Sequence, residues 1–190
     1  ELDIKWSNTE LIYNGKNQKP KATATNVIAG DECNITVDSA NKNAGTYDAK
    51  ATEVSNSNYK LPKTVNTKYI IKPKDITVTI TANGGIYGEK INGATIKLNG
   101  VEKGDDPKVI LIYTGKANDG TEVNGIEVPS HAGKYIVAAN VNDPNYNLTG
   151  TTSAQFVVKA ADANLNVTKP SDKNYNDEAF KLEVSHKGNG

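Results

Sequence analysis

His131-Ala132-Gly133-Lys134-Tyr135-Ile136-Val137-Ala138-Ala139-Asn140-Val141 holds the key to the chain's architecture. Tyr135, Val137, Ala139 and Val141 alternate with Ile136, Ala138 and Asn140. That period of two belongs to a strand with one face buried. A glycine-bearing turn leads into it. The same phrase occurs earlier as Ala44-Gly45-Thr46-Tyr47, followed at alternate positions by Ala49 and Ala51.

Further landmarks recur in the same order around both phrases. Upstream lie Tyr13-Asn14-Gly15 and Gly30-Asp31 in the first set, and Tyr87-Gly88 and Gly104-Asp105 in the second. Downstream come Asn58-Tyr59-Lys60-Leu61 and Asn145-Tyr146-Asn147-Leu148. Each set closes on a strand, Lys68-Tyr69-Ile70-Ile71-Lys72 or Gln155-Phe156-Val157-Val158-Lys159. Internal repetition of this kind marks serial modules. The expected units are 1–73, 74–160 and a partial third unit or C-terminal β segment, 161–190. In the last, Leu165 and Val167 start a strand and Tyr175-Asn176-Asp177 echoes Tyr13-Asn14-Gly15. Extra residues of the second unit, around Lys116–Glu127, read as a surface excursion, because insertions map to loops. Ile71-Lys72-Pro73-Lys74 joins the units without a Gly/Ser linker, which favours a semi-rigid rod.

The fold class is all-β. Ile76, Val78 and Ile80 alternate with threonines, and Val109-Ile110-Leu111-Ile112-Tyr113 reads as a central strand covered on both faces. Asn92-Gly93 and Asn99-Gly100 suit type I′ hairpin turns. Short strands with frequent turn signals point to small β-sandwiches, with a β-grasp-like sheet as the alternative. Immunoglobulin-like domains place a tyrosine at the start of their sixth strand, its hydroxyl bonded back to the corner. Tyr47 and Tyr135 resemble it.

Composition limits the function. The 190 residues carry 22 basic and 22 acidic side chains, with a mean hydropathy of −0.57. Lysines are scattered, so neither a phosphate-tracking stripe nor a polybasic membrane patch exists. No apolar run is long enough to span a bilayer, and residues 1–30 lack a signal-peptide core, so the chain reads as a segment of a longer mature protein. A single cysteine, Cys33, excludes an intrachain disulfide, which argues against an extracellular animal origin.

These landmarks together resemble the bacterial Ig-like and MBG-type repeats of large surface proteins. Tyr13-Asn14-Gly15-Lys16-Asn17-Gln18-Lys19-Pro20 is similar to their Tyr-x-Gly-x-x-Gln-x-Pro opening, and residues 87–146 to the Tyr-Gly variant. The resemblance covers roughly residues 1–160. It implies tandem Ig-like sandwiches in a non-catalytic extracellular spacer or stalk of a bacterial surface or secreted protein. Its structural motif residues are Tyr13, Gly45, Tyr47, Tyr59, Tyr87, Gly133, Tyr135 and Tyr146. The implied partners are neighbouring domains of the same chain. A host or cell-wall glycan or protein is the further candidate, under the alternative of a ligand-binding module.

No residue set announces catalysis, a metal or a cofactor. His131 and His186 have no partner motif, and the acidic neighbours Asp31 and Glu32 oppose a reactive thiolate at Cys33. Asp105-Asp106 and Asp143 suit turns, with junctional calcium as the sharper reading. Lys5 or Lys159 would be candidates for an isopeptide cross-link, although no acceptor pair is specified. For sugar binding, Tyr113 and Tyr175 are the aromatics least committed to the repeat, and Trp6 is expected to seat the first strand.

Overall fold

β-branched and tyrosine side chains at alternate positions build a computed structural model of strands, with no helix among the described residues. The structure describes residues 1–168, 172, 174, 175 and 183–187. The first six strands are β1 (Ile4–Ser7), β2 (Glu10–Ile12), β3 (Lys21–Ala24), β4 (Ile35–Val37), β5 (Gly45–Val54) and β6 (Asn66–Lys72). β1 pairs with β3, and the order β2-β6-β5-β4 makes a second small sheet. β2 runs parallel to β6, with Ile12 opposite Lys72.

The following strands are β7 (Lys74–Asn83), β8 (Gly85–Ile86), β9 (Gly93–Asn99), β10 (Val109–Ala117), β11 (Glu122–Gly125), β12 (Gly133–Val141), β13 (Tyr146–Thr151) and β14 (Ser153–Lys159). They repeat the scheme. β7 pairs with β9, joined by β13, and a second sheet has the order β11-β10-β12-β14-β8. β8 runs parallel to β14, with Ile86 opposite Lys159. The register is the same in both halves: Tyr47 faces Tyr69 as Tyr135 faces Phe156. The ring pairs match too, with centroids 5.6 Å apart in each. β15 (Asn164–Thr168) and β16 (Glu183–Lys187) form an antiparallel pair, in which Leu165 lies opposite His186. Asn176 and Asp177 lie outside the described residues.

Contact density groups the chain into two compact units. The first comprises Glu1–Val78, Leu98–Val109 and Val141–Gly150. Its core holds Tyr13, Ala22, Val37, Ala49, Tyr69, Ile71, Ile76 and Tyr146, with Trp6 of β1 packed against it. The second comprises Thr79–Lys97, Ile110–Asn140 and Thr151–Gly190. Tyr113, Tyr135, Val137, Phe156 and Val158 are among its buried residues.

Several local expectations change. Residues around Lys116–Glu127 form a hairpin, not a plain loop: β10 and β11 pair from Tyr113↔Gly125 to Lys116↔Glu122. Asp119 ties the turn by accepting the Thr121 N–H at 2.9 Å, and alternation of Glu122, Val123 and Asn124 lets the excursion add a strand to the sheet edge. β10 does lie inside its sheet, yet Ile110 is 42 % exposed, so its outer face is not covered. Gly93 and Gly100 adopt positive φ, but β9 and β10 belong to different sheets, so Asn99-Gly100 turns the chain between sheets and closes no hairpin between them.

The Ala-Gly-x-Tyr phrase has a steric reason. The Tyr47 hydroxyl donates to Asn43 O at 2.9 Å, and that of Tyr135 to His131 O at 2.8 Å. Each ring thereby folds over the glycine two residues before it. A Cβ on Gly45 would lie 3.0 Å from Tyr47 Oη; one on Gly133 would lie 2.7 Å from Lys116 O and 2.8 Å from Tyr135 Oη. Backbone cannot retreat as a ring can. Gly133→Ala is therefore expected to cost about 2–3 kcal/mol, and Gly45→Ala about 1 kcal/mol. Urea unfolding of both variants measures the difference; equal losses would contradict this steric account.

Candidate functional site

Two short turns recur in each sequence repeat, and a tyrosine ties them together. In the first turn, the Asp31 N–H donates to Ile28 O at 3.0 Å and the Asp105 N–H to Glu102 O at 3.1 Å. The residues before the aspartates, Gly30 and Gly104, have φ of 96° and 92°, a region that favours glycine. In the second turn, Asn56 Oδ1 accepts the Asn58 N–H at 3.0 Å, and Asp143 Oδ1 accepts the Asn145 N–H at 2.9 Å. These side-chain turns direct the next residue, Tyr59 or Tyr146, at the first turn.

The tyrosine hydroxyl then works in both directions. Tyr59 donates to Asp31 Oδ2 at 2.7 Å and accepts the Ile28 N–H at 3.0 Å. Tyr146 donates to Asp105 Oδ2 at 2.6 Å and accepts the Glu102 N–H at 3.1 Å. The Gly-Asp and Asn-Tyr landmarks are thus two halves of one lock, formed twice.

At Asp105 the lock carries a further load. Tyr13, from the first sequence repeat, donates to the same Oδ2 at 2.5 Å. The Tyr13 and Tyr146 rings meet edge to face with centroids 5.3 Å apart, and both residues are 2 % exposed. Asn145 bridges the same place: its Oδ1 accepts the Ala44 N–H and its carbonyl the Lys74 N–H, each at 2.8 Å. Lys74 pairs with Glu102 at 2.5 Å, while Lys42 stands 3.8 Å from Asp105 Oδ1. All these residues lie within the first compact unit. Hydrogen bonds to an ionised acceptor are the strong kind. The arrangement is a joint, inside that unit, between residues of the two sequence repeats.

The remaining motif residues lie apart from it. Tyr47 and Tyr135 pin their own corners, and Tyr87 is half-buried with its ring edge to His131 at 5.9 Å. His131 Nδ1 is 2.9 Å from Asp119 Oδ2, and both side chains are about half exposed. The Thr121 N–H first, and then His131, hold the Asp119 carboxyl down to about 2. Tyr113 is buried, its hydroxyl accepting the Ala94 N–H at 3.2 Å, so it is not a free aromatic for a sugar; Tyr175 is 96 % exposed. Cys33 is half-buried. No group of acidic, histidine or cysteine side chains suited to a metal occurs among the described residues. Asp105, read as a turn residue, carries the joint; its recurrence as a landmark beside Asn-Tyr was the available signal.

Protonation follows from this geometry. The Tyr13 and Tyr146 hydroxyls hold the Asp105 carboxyl below its ordinary 3.8. Burial first, and Asp105 second, push Tyr146 up to about 12 and Tyr13 upward as well. An acid with a lowered folded value stabilises the fold above its unfolded value and loses that contribution as pH falls toward the folded one. A tyrosine with a raised value does the reverse, losing its contribution as pH climbs from its ordinary 10.0 toward about 12. Stability is thus expected to fall at both ends, and Asp105→Ala to remove its own part of the acid limb while only reducing the alkaline limb, which burial chiefly sets, in unfolding curves taken across pH. At neutral pH that variant leaves two buried hydroxyls without their acceptor and is expected to cost about 2–5 kcal/mol, and Tyr13→Phe about 1.5–3 kcal/mol. Values near zero in urea titrations would show that the joint contributes nothing.

No curated protein and no solved structure matches the chain. The family model of the MBG domain does match part of it, including Asp105, the His131–Tyr135 corner, Tyr146 and Phe156. An MBG domain is found at residues 105–162.

Proposed function

We propose that the chain is a non-catalytic extracellular spacer, a stalk module that supports adhesion or the display of other domains. The observation that carries this reading is the joint at Asp105. Its hydroxyl–carboxylate bonds, its ring pair and the Asn145 bridge tie residues of the two sequence repeats together, which supports a spacer with no flexible linker at that place. The MBG domain, a non-catalytic repeat module of bacterial surface proteins, supports the extracellular placement.

One observation favours a second reading, that of a glycan- or protein-binding module. A cavity of about 290 Å³ is lined by Tyr87, Asn118, Asp119, His131 and Ala132, an aromatic beside polar groups. Two measurements separate the readings. Stretched between its ends in a force instrument, a spacer is expected to hold to high force and then unfold in discrete steps. The Asp105→Ala variant is expected to yield earlier. On arrays of glycans and host or cell-wall proteins the spacer is expected to be silent. A chain that gives way like an unstructured linker, or that binds one array member with loss of binding on Tyr87→Ala, would overturn the spacer reading.

A further inference from the structure

The two locks have the same parts but different surroundings. At Asp105 one oxygen accepts two tyrosine hydroxyls, whereas Asp31 accepts the single hydroxyl of Tyr59. Tyr146 is 2 % exposed beneath the Tyr13 ring, whereas Tyr59 is half-buried and has no ring partner among the described residues. Asn145 caps the Ala44 N–H, whereas its counterpart Asn58 is exposed. Ile28 occupies the position of Glu102. Glu102 has a side chain 27 % exposed against Lys74, whereas Ile28 is 71 % exposed. A carboxylate with spare acceptor capacity, an aromatic face, a carboxamide and an isoleucine thus share one uncovered patch inside the first compact unit.

We infer that this patch of Asp31, Tyr59, Asn58 and Ile28 is the acceptor half of another joint, and that its partner is the tyrosine-bearing edge of a further repeat of this class. The internal joint specifies what that edge must bring. It needs a tyrosine hydroxyl for the free capacity of the aspartate, a ring to set edge-on to Tyr59, and the unbonded N–H of the alanine in Ala-Gly-x-Tyr for Asn58. The chain itself carries such an edge in Tyr87 and Ala132. Tyr87 N–H donates to Lys159 O at 2.8 Å, as Tyr13 N–H donates to Lys72 O at 2.9 Å, so Tyr87 is placed in its repeat as Tyr13 is. The partner is recognised by its hydroxyl and its ring, not by net charge. The inference goes beyond the spacer reading, since a joint of this kind would form whatever the assembled repeats are for.

A fusion tests it. A copy of residues 1–159 is joined through Pro-Lys, the pair found at 73–74, to Glu1 of the full chain. The reporter is hydrogen exchange at the Ile28 amide of the downstream copy, which the Tyr59 hydroxyl holds. Exchange there is expected to slow by about tenfold or more against the unfused chain. Tyr87→Phe in the upstream copy, and Asp31→Asn in the downstream copy, are each expected to remove the slowing. Unchanged exchange on fusion, or slowing that survives Tyr87→Phe, would overturn the inference. The unfused chain supplies an independent check. There Asp31→Asn is expected to move the urea midpoint far less than Asp105→Asn, because its lock bears no partner; equal shifts would mark both locks as complete in themselves and would also overturn it.

Discussion

One oxygen atom, Asp105 Oδ2, accepts hydroxyls from residues 92 and 41 positions away in sequence, and the first compact unit is organised around that meeting. A buried tyrosine supplies a large apolar body but brings a polar tip that must be satisfied. Tyr13, Tyr69, Tyr113, Tyr135 and Tyr146 share the cores with isoleucine and valine. Burial suits them provided that each hydroxyl reaches a hydrogen-bond partner. The aspartate provides that partner for two rings at once. Its negative charge makes each bond stronger than a neutral one, and the rings keep water away from it.

The same solution recurs in simpler forms. Tyr69, with its ring fully buried, donates to Ser39 O at 2.7 Å and accepts from Asn41 Nδ2 at 2.8 Å. Tyr47 and Tyr135 close their corners on backbone carbonyls. No buried side-chain nitrogen or oxygen lacks a partner among the described residues. These bonds also fasten loops to strands, a task that disulfides perform in many small domains. A single neutral hydrogen bond is worth about 1 kcal/mol net, against about 2–4 kcal/mol for a disulfide, so several tyrosines must share the task. Their recurrence at fixed landmarks in both repeats fits that requirement.

Much of this was legible in the sequence, and the limits are physical. Strands were readable because alternation is a local property, and the repeat was readable because its landmarks keep their order. That Gly-Asp meets Asn-Tyr was not, since the two turns are separated by 28 residues in one repeat and 41 in the other and come together only through tertiary packing. Tyr113 looked uncommitted because it falls outside the repeat landmarks. It is buried because its ring packs edge to face against Phe156 of β14 and its hydroxyl meets the Ala94 N–H of β9, contacts that no single stretch displays. The hairpin at Lys116–Glu122 escaped for the opposite reason. Its strand is short and polar, and only pairing with β10 makes it a strand at all.

The joint and the lock use the same atoms, and this couples the order of one to the order of the other. Tyr13 finds its acceptor in place only when the Gly104-Asp105 turn has formed, and Tyr146 holds that turn through Asp105 Oδ2 and the Glu102 amide. The edge-to-face contact likewise requires the Tyr146 ring to be seated before Tyr13 can rest against it. A repeat whose lock is open therefore offers its neighbour neither the carboxylate in position nor the ring. The Gly104-Asp105 turn, the Tyr146 ring and Tyr13 are thus coupled through shared atoms inside the first compact unit. Loosening the Asp105 lock therefore also removes the seat on which Tyr13 rests, since the carboxylate and the Tyr146 ring both belong to it.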